Sequence, residues 1–348
     1  YASFVCNRCR DTDIRPFHKS AVARLVEYSS RLVEHQGKLT TRFIEIADLI
    51  TEANHWAAQD GESPVVTGEH VARAIRERIY RSNLPEARIQ ELINDGTIMI
   101  DTEGAVVGQI NGMSVLDLGD HLFGRPVRIT ARTSLCRGQV ANIDRETQMT
   151  GRIHNKGFLI LTGYLMGKFG RDKPLNFRST IGFEQTYDEV EGDSASSAEL
   201  YTLLSSLSGL PINQGLAVTG SVNQRGEIQA IGGAIYKIEG FFDVCKGKGL
   251  TGRQGVVIPK ANIKNLVLRE DVIEAVREKK FTIYAVERVE EGIEILTGVP
   301  AGEPDGDGAY PEGTVNYRIV QNLEHLAAKA KELMGRDGAS GEDDPSPA

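Results

Sequence analysis

The stretch of sequence that decides the fold spans residues 191–240 and reads EGDSASSAELYTLLSSLSGLPINQGLAVTGSVNQRGEIQAIGGAIYKIEG. It begins with a turn of small residues that leads into an apolar helix at residues 197–207. Two strands joined by a tight turn at Arg225 and Gly226 follow, and then a second helix that carries Lys237. Helices that alternate with strands in this way predict an α/β domain.

Ser194 lies in the small-residue turn, just before the first of these helices. Small neighbours allow a substrate backbone to approach, and a serine at the start of a helix lies where unpaired N–H groups can stabilise an oxyanion. The same residues are also typical of a serine-rich helix cap with no catalytic role. Taken alone, the turn therefore leaves a nucleophile and a cap as alternative interpretations.

Lys237 has apolar neighbours in its helix, which are Ile235, Tyr236 and Ile238. A lysine at such a position normally extends its ammonium group to solvent. In a dry pocket beside a serine, however, its charged form is disfavoured, and the neutral amine can accept a proton. Such a pair forms a serine–lysine catalytic site that needs no histidine.

The segments before this stretch divide into two parts. Apolar residues recur at helical spacing from 15 to 81, and a charged helix follows at 84–94, which predicts an all-α subdomain over residues 1–94. Short runs rich in β-formers begin at 97–100, and strands then alternate with helices. We therefore expect the α/β domain to cover residues 95–335.

The C-terminal part of the chain passes from a predicted helix to a polar segment. A last helix is predicted at residues 319–333. Residues 336–348 are too polar to pack against a core, so we expect a disordered tail there. The chain begins with Tyr1 rather than Met and with helices rather than a strand, and we therefore expect it to be part of a longer protein.

The composition of the 348 residues excludes several classes of function. An excess of 48 acidic over 40 basic residues gives a net charge of −8, so no general affinity for nucleic acid is expected. No apolar run reaches about 18 residues and no secretory signal is present, which predicts a cytoplasmic protein without a membrane segment. Four scattered cysteines also favour a reducing compartment.

Motifs for metals and nucleotides are weak or absent. Cys6 and Cys9 form a CxxC pair, but no second pair with metal-ligand spacing accompanies it. The seven histidines show no ligand spacing, so surface or helix-capping positions are expected for them. No GxxxxGK[ST] phosphate loop occurs, so we expect no cofactor in this chain and no nucleotide hydrolysis by it.

Four segments together resemble the proteolytic domain of the Lon family of ATP-dependent serine proteases. They are EGDSAS, AVTGSVNQRGEIQAIGGAIYKIEG, VVIPKAN and TGVPAG, and the similarity covers roughly residues 97–333. The first segment resembles the B-type form of the family motif rather than the A-type form DGPSAG. The resemblance implies a Lon-type α/β fold and the activity of a serine endopeptidase.

The resemblance also implies roles for particular residues. Ser194 takes the place of the family's nucleophile, and Lys237 takes that of the general base. Thr219 would hydrogen-bond the lysine, and Asp193 is the acidic residue beside the nucleophile, where the A-type motif has proline. Residues 196–197 would begin the helix that follows.

Residues 15–81 are similar to the small helical lid of the AAA+ module that precedes the protease in this family, on the stretch RLVEHQGKLTTRFIEIADLITEANHWA. Arg42 lies where a nucleotide-sensing arginine would fall, although a solvent-facing arginine is equally expected there. The Walker motifs are missing, so we expect a fragment that contains the lid and the protease. ATP and Mg²⁺ are implied for the full-length protein unless its ATPase part is degenerate.

The resemblance implies partners and leaves alternatives open. Unfolded or damaged proteins would be the substrates, and the subunits would assemble as a hexameric ring that requires no nucleic acid. A Lon-like domain that has lost its catalytic pair can instead serve as an assembly scaffold, and a peptide-binding module that does not cut is a third interpretation. The presence of both Ser194 and Lys237 favours the enzyme.

Overall fold

The computed structural model describes residues 1–61, 63–119, 121–135, 140–170 and 177–339, with side chains up to residue 332. Of the four cysteines, Cys136 lies outside the described residues, and so do residues 340–348 of the predicted tail.

The first part of the chain is helical. Its helices are α1 (Ala2–Asp11), α2 (Lys19–Leu32), α3 (Phe43–Gln59), α4 (Gly68–Ser82) and α5 (Leu84–Asn94). The apolar faces of the earlier helices meet in one core, in which Leu25, Ile46 and Ile50 are fully buried. Thr67 is the N-cap of α4, and its backbone N–H donates to the His70 ring in a capping box.

A mixed sheet forms the centre of the second part. The strands here are β1 (Ala105–Val106), β2 (Gln109–Asp117), β3 (Leu122–Leu135), β4 (Val140–Asn142), β5 (Phe177–Phe183), β6 (Ile212–Asn213), β7 (Leu216–Val218), β8 (Ser221–Val222), β9 (Ile228–Gln229), β10 (Gln254–Pro259) and β11 (Phe281–Val286). Seven of them form one sheet in the order β11-β10-β7-β2-β3-β5-β4. Antiparallel pairing joins β2, β3 and β5, whereas β2, β7, β10 and β11 pair in parallel.

Helices cover both faces of this sheet. They are α6 (Ile143–Glu146), α7 (Arg152–Phe169), α8 (Ser196–Ser208), α9 (Ala234–Lys248), α10 (Glu270–Arg277), α11 (Val289–Thr297) and α12 (Val315–Ala339), with a 3₁₀ helix at Lys260–Asn265. Alternate residues of a strand point to opposite sides. Val218 and Val257 therefore join the core around α8, whereas Ala217 and Val256 join the core around α9. The predicted fold class, a helical subdomain followed by an α/β domain, is confirmed.

Helix α9 lies very close to β3. A Cβ atom at Gly124 would overlap the carbonyl oxygen of Tyr236, and one at Gly240 would overlap the backbone of Gly124. Glycine at both positions permits this approach. The distance of α9 from the sheet, and with it the position of Lys237, is therefore fixed by backbone contact.

The prediction of a strand at residues 97–100 is wrong, because this segment forms no strand in the structure. The side chain of Gln185 binds this segment instead, because its oxygen accepts from the Met99 N–H (2.8 Å) and its amide donates to the Thr97 carbonyl oxygen (2.8 Å). A side-chain amide thus satisfies backbone groups that a neighbouring strand would otherwise pair.

The last helix is longer than predicted. Helix α12 begins at Val315, where the N–H groups of Val315 and Asn316 donate to the carbonyl oxygens of Pro300 and Ala301. Its backbone also continues through residues 336–339, the start of the predicted disordered tail, since extending a helix is easier than starting one. None of the helices in the described part of the chain combines the length and the hydropathy that a membrane crossing requires.

Candidate active site

Ser194 lies in the loop that precedes α8, and the segment between β7 and β8 fixes this loop. The N–H of Gly220 donates to the Ser194 carbonyl oxygen (2.8 Å), and the N–H of Ser197 donates to the Gly220 carbonyl oxygen (3.1 Å). The Val222 N–H donates to Ser196 Oγ (3.0 Å). Helix α8 begins at Ser196, so residues 196–197 do begin the helix. Hydrogen bonds therefore hold the loop at Ser194 itself and at the start of α8.

Lys237 reaches this loop from α9. Its Nζ lies 2.7 Å from Ser194 Oγ and 3.1 Å from Thr219 Oγ1. Thr219 Oγ1 in turn donates to the Ser194 carbonyl oxygen (3.1 Å). The fold thus brings Ser194, Lys237 and Thr219 within hydrogen-bond distance, although 43 positions separate the serine from the lysine.

The surroundings of Lys237 favour its neutral form. Only 4% of the residue is exposed. Burial lowers the pKa of Lys237 to about 8, although the negative charges of Asp193 and Glu34 act in the opposite direction. The lysine also lies close to the N-terminus of α9, which begins at Ala234 and where the helix dipole disfavours a cation. A substantial fraction of free amine is therefore present near pH 8.

Asp193 connects the serine loop to its supports. Its carboxylate accepts a hydrogen bond from Ser221 Oγ (2.9 Å). Helix α7 passes close behind it, because a Cβ atom at Gly157 would lie 2.9 Å from the Asp193 Cβ. Asp193 therefore anchors the loop to β8 and also places a negative charge near Lys237.

A cavity of about 370 Å³ opens beside Ser194 and Lys237. Much of its wall is apolar, and the apolar side chains there include Met113, Val115, Leu116, Leu122, Val127 and Phe183. Charged residues also line the wall, and they include Glu34, Arg125, Asp188, Glu189 and Glu191. Apolar and charged groups thus both face the space beside Ser194 and Lys237.

Other candidates from the sequence do not line this cavity. Arg42 precedes α3, has a side chain that is 79% exposed, and pairs with Glu45 at 3.2 Å. Cys6 and Cys9 are free thiols in α1. Across the described ranges, no group of three or more His, Cys, Asp or Glu side chains is arranged to hold a metal ion.

The sequence did not predict a buried polar cluster near this loop. His154 of α7 and Glu199 of α8 are each 1% exposed, so the expectation of a surface or capping position is wrong for His154. Asn142 Nδ2 donates to Glu199 Oε1 (2.9 Å), and His154 Nε2 lies 3.6 Å from the same oxygen. Burial raises the pKa of Glu199 to about 8 and lowers that of His154. Glu199 Oε2 has no hydrogen-bond partner among the described residues, and the raised pKa reduces the cost of burial by favouring the neutral carboxyl.

Two family models match this chain. Residues 188–298 match the Lon protease (S16) C-terminal proteolytic domain, and residues 16–81 match the archaeal LonB AAA+ ATPase LID domain. These matches assign the chain to the class of proteases in which a lid precedes the proteolytic domain. The chain carries a proteolytic domain of the Lon protease family, preceded by a lid of the LonB type. The family, fold class and protease class implied by the sequence resemblance are confirmed.

Curated relatives are similar over most of this chain. The putative Lon protease homolog of Escherichia coli (strain K12) is 38% identical over 80% of this chain and 46% of that protein. The archaeal Lon proteases of Archaeoglobus fulgidus and Thermococcus kodakarensis are 30% and 28% identical, each over 82% of this chain and over 43% and 42% of their own length. The chain thus spans less than half the length of these relatives.

Proposed function

We propose that the α/β domain is a serine endopeptidase in which Ser194 is the nucleophile and Lys237 is the general base. The observation that supports this most is the 2.7 Å separation of Ser194 Oγ and Lys237 Nζ at the wall of a cavity. A general base must lie within hydrogen-bond reach of the proton it removes, and its pKa must be close to the working pH. This pair meets both conditions.

The proposed reaction is acyl transfer in two halves. Neutral Lys237 accepts the hydroxyl proton of Ser194 as Oγ attacks the peptide carbonyl carbon, and the resulting ammonium then protonates the leaving amine. In the second half, neutral Lys237 removes a proton from water as the water oxygen attacks the ester carbonyl carbon. The ammonium then gives this proton to Ser194 Oγ as the ester C–O bond breaks. Thr219 Oγ1 keeps Nζ in place throughout.

The oxyanion needs donors near Ser194. The N–H groups of Ser196 and Ser197 already donate to the carbonyl oxygens of Asp193 (3.0 Å) and Gly220 (3.1 Å). The donors in our proposal are therefore the backbone N–H groups of Ser194 and Ala195, which precede the first turn of α8.

Unfolded or damaged proteins are the proposed substrates. The cavity admits an extended chain, so a folded protein would first have to be opened. In this proposal a nucleotide-binding part, absent from this chain, supplies that work with ATP and Mg²⁺ in a cytoplasmic hexameric ring. Arg42 of the lid would then be a candidate nucleotide contact, since its side chain is exposed.

Digestion of unfolded casein tests the proposal. Ser194→Ala should abolish cleavage, because the nucleophile is lost. Ser197→Ala is the matched control, since Ser197 Oγ is buried without a hydrogen-bond partner in the described part of the chain and its loss should cost little. Full activity of the Ser194→Ala variant would contradict the proposed nucleophile, and a folded wild-type chain that never cleaves casein would favour a scaffold.

A further inference from the structure

The end of α2, in the lid, docks on the α/β domain beside the active site. Arg31 donates two hydrogen bonds of 2.6 Å to the Glu239 carboxylate of α9 and one of 3.0 Å to the Val267 carbonyl oxygen. Asn265 Nδ2 donates to the Glu34 carbonyl oxygen (2.6 Å). The chain just after α2 is therefore held against both α9 and the 3₁₀ helix.

This docking places the Glu34 carboxylate at the N-terminus of α9. The side chain is half-buried and lines the cavity together with Gly233 and Lys237. Burial raises the pKa of Glu34, and the backbone groups of Gly233 and Ala234 act in the opposite direction. Glu34 itself has a φ of +47°, which is uncommon for a residue other than glycine. The contact of its carbonyl oxygen with Asn265 stabilises this conformation.

Two sets of charges meet at Lys237. The helix dipole and burial favour the neutral amine, whereas the carboxylates of Asp193 and Glu34 favour the ammonium. Arg31 also faces Glu34, and the other charged groups of the cavity are Arg125, Asp188, Glu189 and Glu191. Of the carboxylates that act on Lys237, only Glu34 comes from the lid among the described residues.

We infer that Glu34 is a positioning residue through which the lid acts on the active site: its carboxylate lies in the same cavity as Lys237, near the start of α9, and forms part of the electrostatic environment of the lysine. This inference rests on the proposed function. Its consequence is that Lys237 keeps its proton to a higher pH when the lid is docked than when Glu34 is withdrawn or neutralised.

The pH dependence of Ser194 labelling by a fluorophosphonate probe tests the inference in the whole chain. In Glu34→Gln the midpoint of the labelling rate should move to lower pH by roughly 0.5 units, because loss of a nearby negative charge destabilises the ammonium. Glu34→Asp keeps the charge and should keep the wild-type midpoint. Glu27→Gln is the matched control on α2, since Glu27 is exposed and pairs only with Arg24 among the described ion pairs.

The outcomes separate the two claims. An unchanged midpoint in a folded Glu34→Gln variant overturns the inference, and so does an equal shift in Glu34→Asp. If Glu34→Gln does not fold, Glu34→Asn takes its place, because it also removes the charge and asparagine tolerates the positive φ at this position. A wild-type chain that the probe never labels at any pH contradicts the proposed function itself, whereas labelling with an insensitive midpoint contradicts only the role of Glu34.

Discussion

Helix α9 carries two buried ionisable side chains, Glu239 and Lys237, which lie two positions apart and have different kinds of partner. Toward the lid, Glu239 pairs with Arg31. Burial lowers the pKa of Arg31, but the hydrogen bonds and charge of Glu239 more than offset this, so the pKa is raised. Toward the cavity, the hydrogen-bond partners of Lys237 Nζ among the described residues are two hydroxyls, Ser194 Oγ and Thr219 Oγ1, and burial lowers its pKa to about 8.

The comparison teaches that the partner, rather than burial, decides whether a buried group stays charged. A guanidinium in bidentate contact with a carboxylate remains a cation and joins the two parts of the chain. An amine that meets only hydroxyls can release its proton and act as a base. One helix thus has a structural side and a reactive side.

The largest effect is expected on the reactive side. Lys237→Ala should lower kcat/KM for a fluorogenic peptide by about 10⁴-fold or more, since no other base is in contact with Ser194 Oγ among the described side chains. Lys237→Arg should be equally inactive, because a guanidinium keeps its proton at any working pH. Substantial activity in the arginine variant would show that the lysine is not the base.

The next effect belongs to the structural side. Arg31→Ala leaves Glu239 buried and without its cation, although the Arg269 N–H still donates to it (2.8 Å). We expect a loss of about 3 kcal/mol in the free energy of unfolding, measured by urea titration. The double variant Arg31→Met, Glu239→Leu should recover most of this loss. If Arg31→Ala were as stable as the wild type, the ion pair with Glu239 would not be structural, and the contrast with Lys237 would be lost.

A stability effect of opposite sign is expected for Lys237→Met. Between pH 8 and 10.5 the unfolded chain holds more protons than the folded one, so burial of Lys237 destabilises the fold below pH 8 and the penalty fades as pH rises to 10.5. The methionine variant should therefore be about 2 kcal/mol more stable at pH 7 and gain nothing at pH 10.5. Equal gains in stability at both pH values would mean that burial does not disfavour the charged form of Lys237.

The smallest effect is expected at an exposed arginine of the lid. Arg42 pairs with Glu45 at the surface, where water screens the contact. Arg42→Ala should change the free energy of unfolding by less than about 0.5 kcal/mol in the same urea titration. A change as large as that of Arg31→Ala would show that exposure does not separate the two arginines.

The sequence predicted one side of α9 much better than the other. Ser194, Thr219 and Lys237 lie in a single continuous stretch, so their meeting could be proposed from the motif and its resemblance. Arg31 and Glu239 are 208 positions apart, and no local pattern indicates that the end of α2 docks there. Contacts between separate subdomains depend on tertiary packing, which a one-dimensional pattern does not contain.

Helix α7 shows a second limit. Its 18 residues include Gly157, Gly163 and Gly167, which weaken the helical signal because glycine is a poor helix former. Glycine is needed at position 157 because a Cβ atom there would overlap Asp193, although glycine lowers the helix propensity. His154, on the same helix, is buried through partners that the sequence does not place beside it.

The pH profile of peptide hydrolysis tests the central claim, that Lys237 is a base with a lowered pKa, most directly. The measurement is kcat/KM from pH 6 to 10 for the wild type and for His154→Asn. We predict that activity rises as pH passes through about 8 in both proteins, because the lysine loses its proton there. A rise near pH 6.5 that disappears in His154→Asn would contradict the account and would place a histidine in the reaction.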